Sequence, residues 1–297
     1  MSIVVIGSAN MDMSIWTNRI PEIGETIKGH KFLLSAGGKG ANQAVACAKM
    51  GADTKLIAKV GDDLFGQTMI GNLGGFGVRT ELIGVERNAT TGVAAITVCE
   101  GNNSIILDGG ANDRMSPSDI TRYREELLAA SAILLQLEIP LETVYEAIRL
   151  AKGKVPIFLN PAPAIPLDES VLRGVDYFTP NEIECRVYAG IDIRTKEDAF
   201  AALDVLLDKG IRYPLITLGE KGIVYYNGQE KVYKQGHPVE AIDTTAAGDT
   251  FSGTFATMIA SGKTMDEAVD IAQLAASISV TRPGAQNAIP YLAELTS

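Results

Sequence analysis

Short apolar-rich runs alternate along this chain with stretches whose apolar residues recur every three to four positions. Residues 3–7, reading Ile-Val-Val-Ile-Gly, form the first run, and others lie at 55–60, 132–135, 156–159 and 214–217. Brief runs with little polar alternation predict strands buried on both faces. Helical periodicity occupies residues 41–50, 140–152, 196–209 and 264–280. Gly51 ends the first of these helices, because glycine accepts the left-handed backbone of the position after the cap. Thr264-Met265-Asp266-Glu267 opens the last with a capping-box pattern. This rhythm predicts an α/β fold of three layers, a central and mostly parallel sheet with helices on both faces.

Two regions break the rhythm. Residues 10–35 alternate only weakly, through Met11, Met13 and Ile15, and are interrupted by Pro21 and Gly24. Residues 91–108 read as two short strands, 93–99 and 104–107, around a turn at 100–103. Together they predict a small antiparallel sheet standing off the main one. Neither an internal repeat nor a linker divides the chain, so residues 1–297 are read as one domain.

Composition narrows the function classes. The 297 residues carry 36 acidic and 26 basic side chains, a net charge of −10, which argues against nucleic-acid binding. At 46% apolar, the chain can bury one large core. Cys47, Cys99 and Cys185 are too scattered for a disulfide framework or a zinc site. With only His30 and His237, a histidine-based metal centre or triad is not expected. The longest uncharged apolar stretch, 127–137, is too short to span a membrane. No basic segment precedes an apolar core at the start, so a cytoplasmic protein is expected. The 30 glycines are the compositional feature left to explain.

Two glycine-containing segments suggest chemistry. Residues 36–43, Ala-Gly-Gly-Lys-Gly-Ala-Asn-Gln, stand just before a helix. Glycines let backbone approach a ligand, and a helix start offers unpaired N–H groups. Lys39 is followed by Gly40 rather than Ser or Thr, so this is not a Walker A loop. Lys39 and Asn42 suit a polyhydroxy ligand, and a tight strand-to-helix turn explains the segment equally well. The second segment, residues 242–251, leads into a helix whose core stripe is Phe251, Phe255, Met258 and Ile259. Small residues at Ala246, Ala247 and Gly248 leave its first-turn amides accessible to an anion. Asp249 then sits in the first turn, where the dipole favours a charged carboxylate. A carboxylate beside an anion hole suits deprotonation of a hydroxyl that attacks a phosphoryl group. Asn181 and Glu184 offer oxygens for magnesium held through water beside phosphates, or simply open a helix.

Taken in order, these segments resemble the ribokinase family of phosphofructokinase-B-type carbohydrate kinases over essentially the full length. Two signatures carry the resemblance: Gly37-Gly38-Lys39-Gly40-Ala41-Asn42-Gln43-Ala44 and Asp243-Thr244-Thr245-Ala246-Ala247-Gly248-Asp249-Thr250-Phe251. Around them stand Gly7-Ser8-Ala9-Asn10-Met11-Asp12, Gly61-Asp62-Asp63, Gln136-Leu137-Glu138 and Asn160-Pro161-Ala162-Pro163-Ala164. Thr179-Pro180-Asn181-Glu182 and Thr281-Arg282-Pro283-Gly284-Ala285-Gln286 complete the ordered set.

The resemblance implies a small β lid, formed by residues 10–36 and 91–108, over a sugar site, and a homodimer made through that lid. It implies ATP-dependent phosphorylation of the 5-hydroxyl of D-ribose, with 2-deoxyribose, another sugar or a nucleoside as alternative acceptors. A non-catalytic binder would have no need of Asp249. By motif, the sugar would be held by Asn10, Asp12, Gly37, Gly38, Lys39, Asn42, Glu138 and Asp249. ATP, with its magnesium ion, would lie near Asn181, Glu184, Thr217, Gly219 and Gly222. The amides of Ala246, Ala247 and Gly248 would form the anion hole, with Asp249 as the base. A monovalent cation, usually potassium, would be held by Asp243 and Thr245 with carbonyls near Ser279, Arg282 and Gly284. Ala288 stands where the family often carries a serine ligand.

Overall fold

The structure is a computed structural model that describes residues 1–99 and 102–295. The first half contains strands β1 (Ser2–Ile6), β2 (Asn10–Trp16), β3 (Lys31–Gly37), β4 (Asp53–Gly61), β5 (Ile83–Glu86), β6 (Gly92–Cys99) and β7 (Asn102–Asp108). Strands β8 (Ala132–Leu135), β9 (Ile157–Leu159), β10 (Tyr177–Phe178), β11 (Tyr213–Thr217), β12 (Ile223–Tyr226) and β13 (Lys231–Lys234) follow. Helices α1 (Lys39–Lys49), α2 (Leu64–Gly75), α3 (Pro117–Arg122), α4 (Arg124–Ala129) and α5 (Leu141–Ala151) are interleaved with them. The rest are α6 (Glu169–Leu172), α7 (Glu182–Ala189), α8 (Lys196–Asp208), α9 (Ala247–Ala260) and α10 (Met265–Val280).

Nine strands form the main sheet, in the order β13-β12-β11-β10-β9-β8-β1-β4-β5. All neighbours from β11 to β5 pair in parallel, and the β12–β13 hairpin extends the β11 edge antiparallel. The apolar runs have the expected cause. Val4 and Ile6 of β1 and Ile133 and Leu135 of β8 join one buried cluster. Their alternates Ile3, Val5, Ala132 and Leu134 join the other, so both faces of the sheet are covered. Thr264 and Glu267 make the expected capping box at α10. The structure adds strands β5, β10, β12 and β13 to those expected. β5 and β10 are too short or too polar to stand out, while Ile223-Val224-Tyr225-Tyr226 of β12 is an apolar run that follows the Gly219–Gly222 turn directly.

The second sheet has the order β3-β2-β6-β7. It is mixed, not antiparallel throughout: β2 pairs antiparallel with β3 and β6 with β7, but β2 and β6 run parallel. β2 and β6 each follow a parallel strand of the main sheet, β1 and β5, and so leave it in the same sense. Alternation along a strand carries no information about that direction. Of the expected turn at 100–103, residues 100 and 101 lie outside the described residues.

Strand order and helix packing together place the polar groups. The chain leaves β1 toward β4 on one side, while β8 lies on the other, which makes a switch point at the carboxyl ends of β1 and β8. Crevices for ligands open at such points in parallel sheets. Helix α1 crosses α9 so closely that a Cβ at Gly253 would lie 2.6 Å from Ala46 Cβ and 2.7 Å from Gln43 O. That close approach brings Asn42 and Gln43 beside the first turn of α9.

Candidate active site

The loops after β1 and β8 meet directly at the switch point. Ser8 Oγ donates to Glu138 Oε2 at 2.5 Å, and the Lys39 amide donates to the same oxygen at 3.2 Å. Gly38 has φ 87°, and a Cβ there would lie 2.7 Å from the Asn10 amide nitrogen. Only glycine combines that backbone conformation with so close an approach. Gly37 backs onto Asp12, whose Oδ2 would lie 2.1 Å from an added Cβ. Asn10, Asp12, Gly37, Gly38, Lys39, Asn42 and Glu138 are thereby gathered from β2, β3, α1 and the β8 loop.

Acidic groups crowd this place. Burial first, and then the charges of Glu138 and Asp249, push the Asp12 carboxyl up from 3.8 to about 7. For Lys39, burial opposes the charge, but Asp249, Glu138 and Glu184 outweigh it and hold the ammonium above its ordinary range. Burial also raises Glu184, against the opposing effects of the Asn181 amide and Lys39. Because the folded pKa of Asp12 exceeds its unfolded one, the folded state holds this proton more tightly. The resulting stabilisation is complete below pH 3.8 and is lost as pH rises through about 7. Thermal unfolding between about pH 5 and about pH 8 should therefore show a fall in Tm that Asp12→Asn lacks. Parallel profiles for the two proteins would contradict this.

Helix α9 begins unusually. Ala246, its N-cap, adopts the left-handed conformation with φ 60° and is the only non-glycine residue among those described with positive φ. Such conformations cost on the order of 1 kcal/mol and persist where the surrounding structure demands them. No side chain caps the helix. The Ala247 amide donates weakly to Thr244 O at 3.3 Å, and Thr250 N donates to Ala246 O. No bond to a described residue engages the amides of Ala246, Gly248 or Asp249. A Cβ at Gly248 would meet nothing within 4 Å, so packing does not demand glycine there.

Asp249 is 6% exposed and held at both oxygens. Asn42 Nδ2 donates to Oδ2 at 3.0 Å, and Gln43 Nε2 donates to Oδ1 at 3.1 Å. Gln136 Nε2 donates in turn to Gln43 Oε1 at 2.6 Å, and Gln43 Nε2 also reaches Asn160 Oδ1 at 3.3 Å. Each carboxylate oxygen keeps a further lone pair.

A cavity of about 210 Å³ opens on these groups, lined among others by Lys39, Asp249, Ala246, Ala247, Gly248, Asn181, Glu184 and Thr217. Asn10, Asp12, Asn42 and Glu138 lie outside its wall; Glu138 adjoins it through the Lys39 amide and Asn42 through Asp249. Asn181 and Glu184 also cap α7 reciprocally, at 2.8 Å and 2.9 Å, so helix capping accounts for both residues as well. Gly219 and Gly222 do not line the cavity. They shape the turn after β11, where a Cβ at Gly222 would lie 2.0 Å from Lys234 O.

Of the residues expected around a cation, three are joined. Asp243 accepts from the Thr245 amide at 2.9 Å and from the Gly284 amide at 3.0 Å. Burial works against its charge, but these hydrogen bonds and that of the Thr245 side chain bring it below its ordinary range. Ser279 Oγ donates to Ala276 O, and the Arg282 guanidinium pairs with Glu294, so neither side chain joins Asp243. Among the described residues, no group of three or more His, Cys, Asp or Glu side chains could hold a metal ion. Burial pushes the Cys47 and Cys185 thiols up to about 12. No described helix is long and apolar enough to cross a membrane.

Sequence reading gave no separate role to Gln43, Gln136, Ser8 or Asn112. Gln43 and Ser8 stand inside quoted motifs, but their partners are 206 and 130 positions away.

Residues 1–292 match the profile of the pfkB family carbohydrate kinases. A ribokinase of Haemophilus influenzae is 41% identical over 292 residues, 97% of this chain and 95% of that protein. A deoxyribokinase of Salmonella typhi is 40% identical over 295 residues, 98% of this chain and 96% of that one. The solved structure of Arabidopsis thaliana ribokinase complexed with ribose and ATP superposes with a TM-score of 0.91 at 33% identity, covering 99% of this chain and 97% of that one. A buried carboxylate beside open helix-start amides, on a fold shared with these enzymes, identifies the chain as a kinase belonging to the pfkB carbohydrate kinase family.

Proposed function

We propose that this kinase transfers the γ-phosphoryl group of ATP to the 5-hydroxyl of D-ribose, giving ribose 5-phosphate and ADP. The observation that carries the reading is Asp249, a buried carboxylate held at both oxygens by Asn42 and Gln43 in the first turn of an uncapped helix. Asp249 accepts the hydroxyl proton as the sugar oxygen forms its bond to the γ-phosphorus and the bond to ADP breaks. In a loose transition state, positioning and charge stabilisation contribute most. The amides of Ala246, Ala247 and Gly248 meet the negative equatorial oxygens, as an oxyanion hole does. Lys39, kept charged by three carboxylates, adds a cation beside them.

Asn10, Asp12, Gly37, Gly38, Asn42 and Glu138 hold the sugar hydroxyls, and Thr217 with the Gly219–Gly222 turn borders the nucleotide. Magnesium bound with ATP supplies further neutralisation of phosphate charge. The Glu184 carboxylate is suited to hold its water ligands, and the triphosphate supplies the remaining oxygens. Asp243 and Thr245 with carbonyls near Ser279, Arg282 and Gly284 form an all-oxygen donor set, the chemistry a potassium ion requires. The second sheet acts as a lid whose closure excludes water. It exposes Ile15, Phe32, Leu34, Ile105 and Ile106, which pair with the same sheet of a second copy. A cytoplasmic location accords with ATP as the phosphoryl donor.

The deoxyribokinase relative, as similar as the ribokinase one, motivates 2-deoxyribose as a second reading. ADP release measured across ribose, 2-deoxyribose, hexoses and nucleosides, with and without potassium, separates them. The highest kcat/KM is expected with ribose, rising when potassium is added. A higher value for 2-deoxyribose would select the second reading, and no sugar-dependent ADP release at all would reject both.

A further inference from the structure

The sugar-site residue Asn10 has a partner that determines which face of its amide a ligand meets. Asn112 belongs to the short 3-10 helix at Gly110–Arg114, just after β7, and is 1% exposed. The Ala9 amide donates to Asn112 Oδ1 at 3.0 Å, and Asn112 Nδ2 donates to Ala9 O at 3.3 Å and to Asn10 Oδ1 at 2.6 Å. A backbone N–H can only donate and a backbone carbonyl can only accept, so the two Ala9 contacts leave the Asn112 amide one orientation. Its NH₂ group then faces Asn10, and only the oxygen of Asn10 can accept from it. The Asn10 Nδ2 group is turned the other way and has no partner among the described residues.

A second feature keeps this arrangement. A Cβ at Gly92, which pairs with Asn10 across β2 and β6, would lie 2.3 Å from Asn10 Oδ1 and 2.4 Å from Asn112 Nδ2. Any side chain at 92 would occupy the space in which the two amides meet. The interaction also joins the end of the second sheet (β7 and its 3-10 turn) to its beginning at β2.

We propose that Asn112 is a positioning residue for the acceptor site: it fixes Asn10 as a hydrogen-bond donor toward a hydroxyl oxygen of the sugar. The proposal rests on the reading of Asn10 as a sugar ligand. Without Asn112, the Asn10 amide can present either its NH₂ or its oxygen, and part of the binding preference for a hydroxyl acceptor is lost.

The test is a double-mutant cycle of Asn10→Ala and Asn112→Ala in the full-length enzyme, with KM for ribose and for ATP, kcat and Tm measured for each. Asn112→Ala is expected to raise the ribose KM about tenfold, the loss of roughly one well-oriented hydrogen bond, with the ATP KM unchanged within about twofold. In the Asn10→Ala background the same change is expected to add less than about twofold, because the group it orients is gone. Asn112→Asp provides a second variant that keeps the acceptor for the Ala9 amide. It is expected to raise the ribose KM at alkaline pH and to approach the parent at acid pH, where the introduced carboxyl regains a donor hydrogen. A merely structural role would move Tm and both KM values together and would give no such pH profile, and that result would overturn the proposal. Effects of the two alanine changes that multiply independently would overturn it as well. An unchanged ribose KM in Asn10→Ala would instead reject the sugar-site reading, and the proposal with it.

Discussion

Asp249→Ala is expected to lower turnover by at least ~10²-fold, the lower end of what a general base contributes. The reason is geometric. Asn42 and Gln43 each donate one hydrogen bond to the carboxylate, so its rotation is fixed and one lone pair on each oxygen stays available. Among the carboxylates that line the cavity or adjoin it through Lys39, none has a side-chain amide donor on each oxygen from α1 as Asp249 has. Glu184 is engaged by Asn181, and Glu138 by Ser8 and the Lys39 amide. Neither can replace it without giving up its own partners. Nucleotide affinity should change little, since the amides and Thr217 remain. Coupled measurement of ADP release gives kcat, and calorimetry gives ATP affinity. A variant that keeps near-normal turnover would remove Asp249 from the role of base.

The second large effect is expected at Asp12. Burial first, and then the neighbouring charges of Glu138 and Asp249, raise its pKa to about 7. Ionised Asp12 therefore costs folding free energy at neutral and higher pH, and stability gives no reason to have a carboxylate there. A ligand that donates hydroxyl hydrogens to it does give a reason. Charge-assisted hydrogen bonds contribute about 1.5–3 kcal/mol each, so Asp12→Ala is expected to weaken sugar affinity by roughly 10- to 100-fold. ATP affinity should remain nearly intact. Titration calorimetry with each ligand separates the two, and a loss confined to ATP would reject the placement of Asp12 in the sugar site.

Much of this molecule could be read in one dimension. The apolar runs of β1 and β8 were recognisable because burial on both faces removes polar alternation, and the two core clusters divide their residues in turn. The α10 start was recognisable because a capping box is satisfied within four residues. The Asp249 segment stood out because small residues before an amphipathic helix leave the amides open.

Other features needed partners far along the chain. The parallel pairing of β2 with β6 depends on how both leave the main sheet. The close approach of the Lys234 carbonyl to Gly222, 12 positions away, could not be read from the Gly219–Gly222 segment itself. Ala246 gave no signal in sequence, since alanine is not a residue that advertises a left-handed conformation.

The sequence alone determined the layers, the helix caps and the set of polar residues at strand ends, because each depends on contacts within a few residues or on a local period. Tertiary structure alone decided which of those polar groups touch. Asn42 reaches Asp249 across 207 positions, Gln136 reaches Gln43 across 93, and Asn112 reaches Asn10 across 102. Hydrogen bonds of that range exist only once strand order and the close crossing of α1 and α9 have brought their donors and acceptors within about 3 Å, the distance at which direction as well as identity matters.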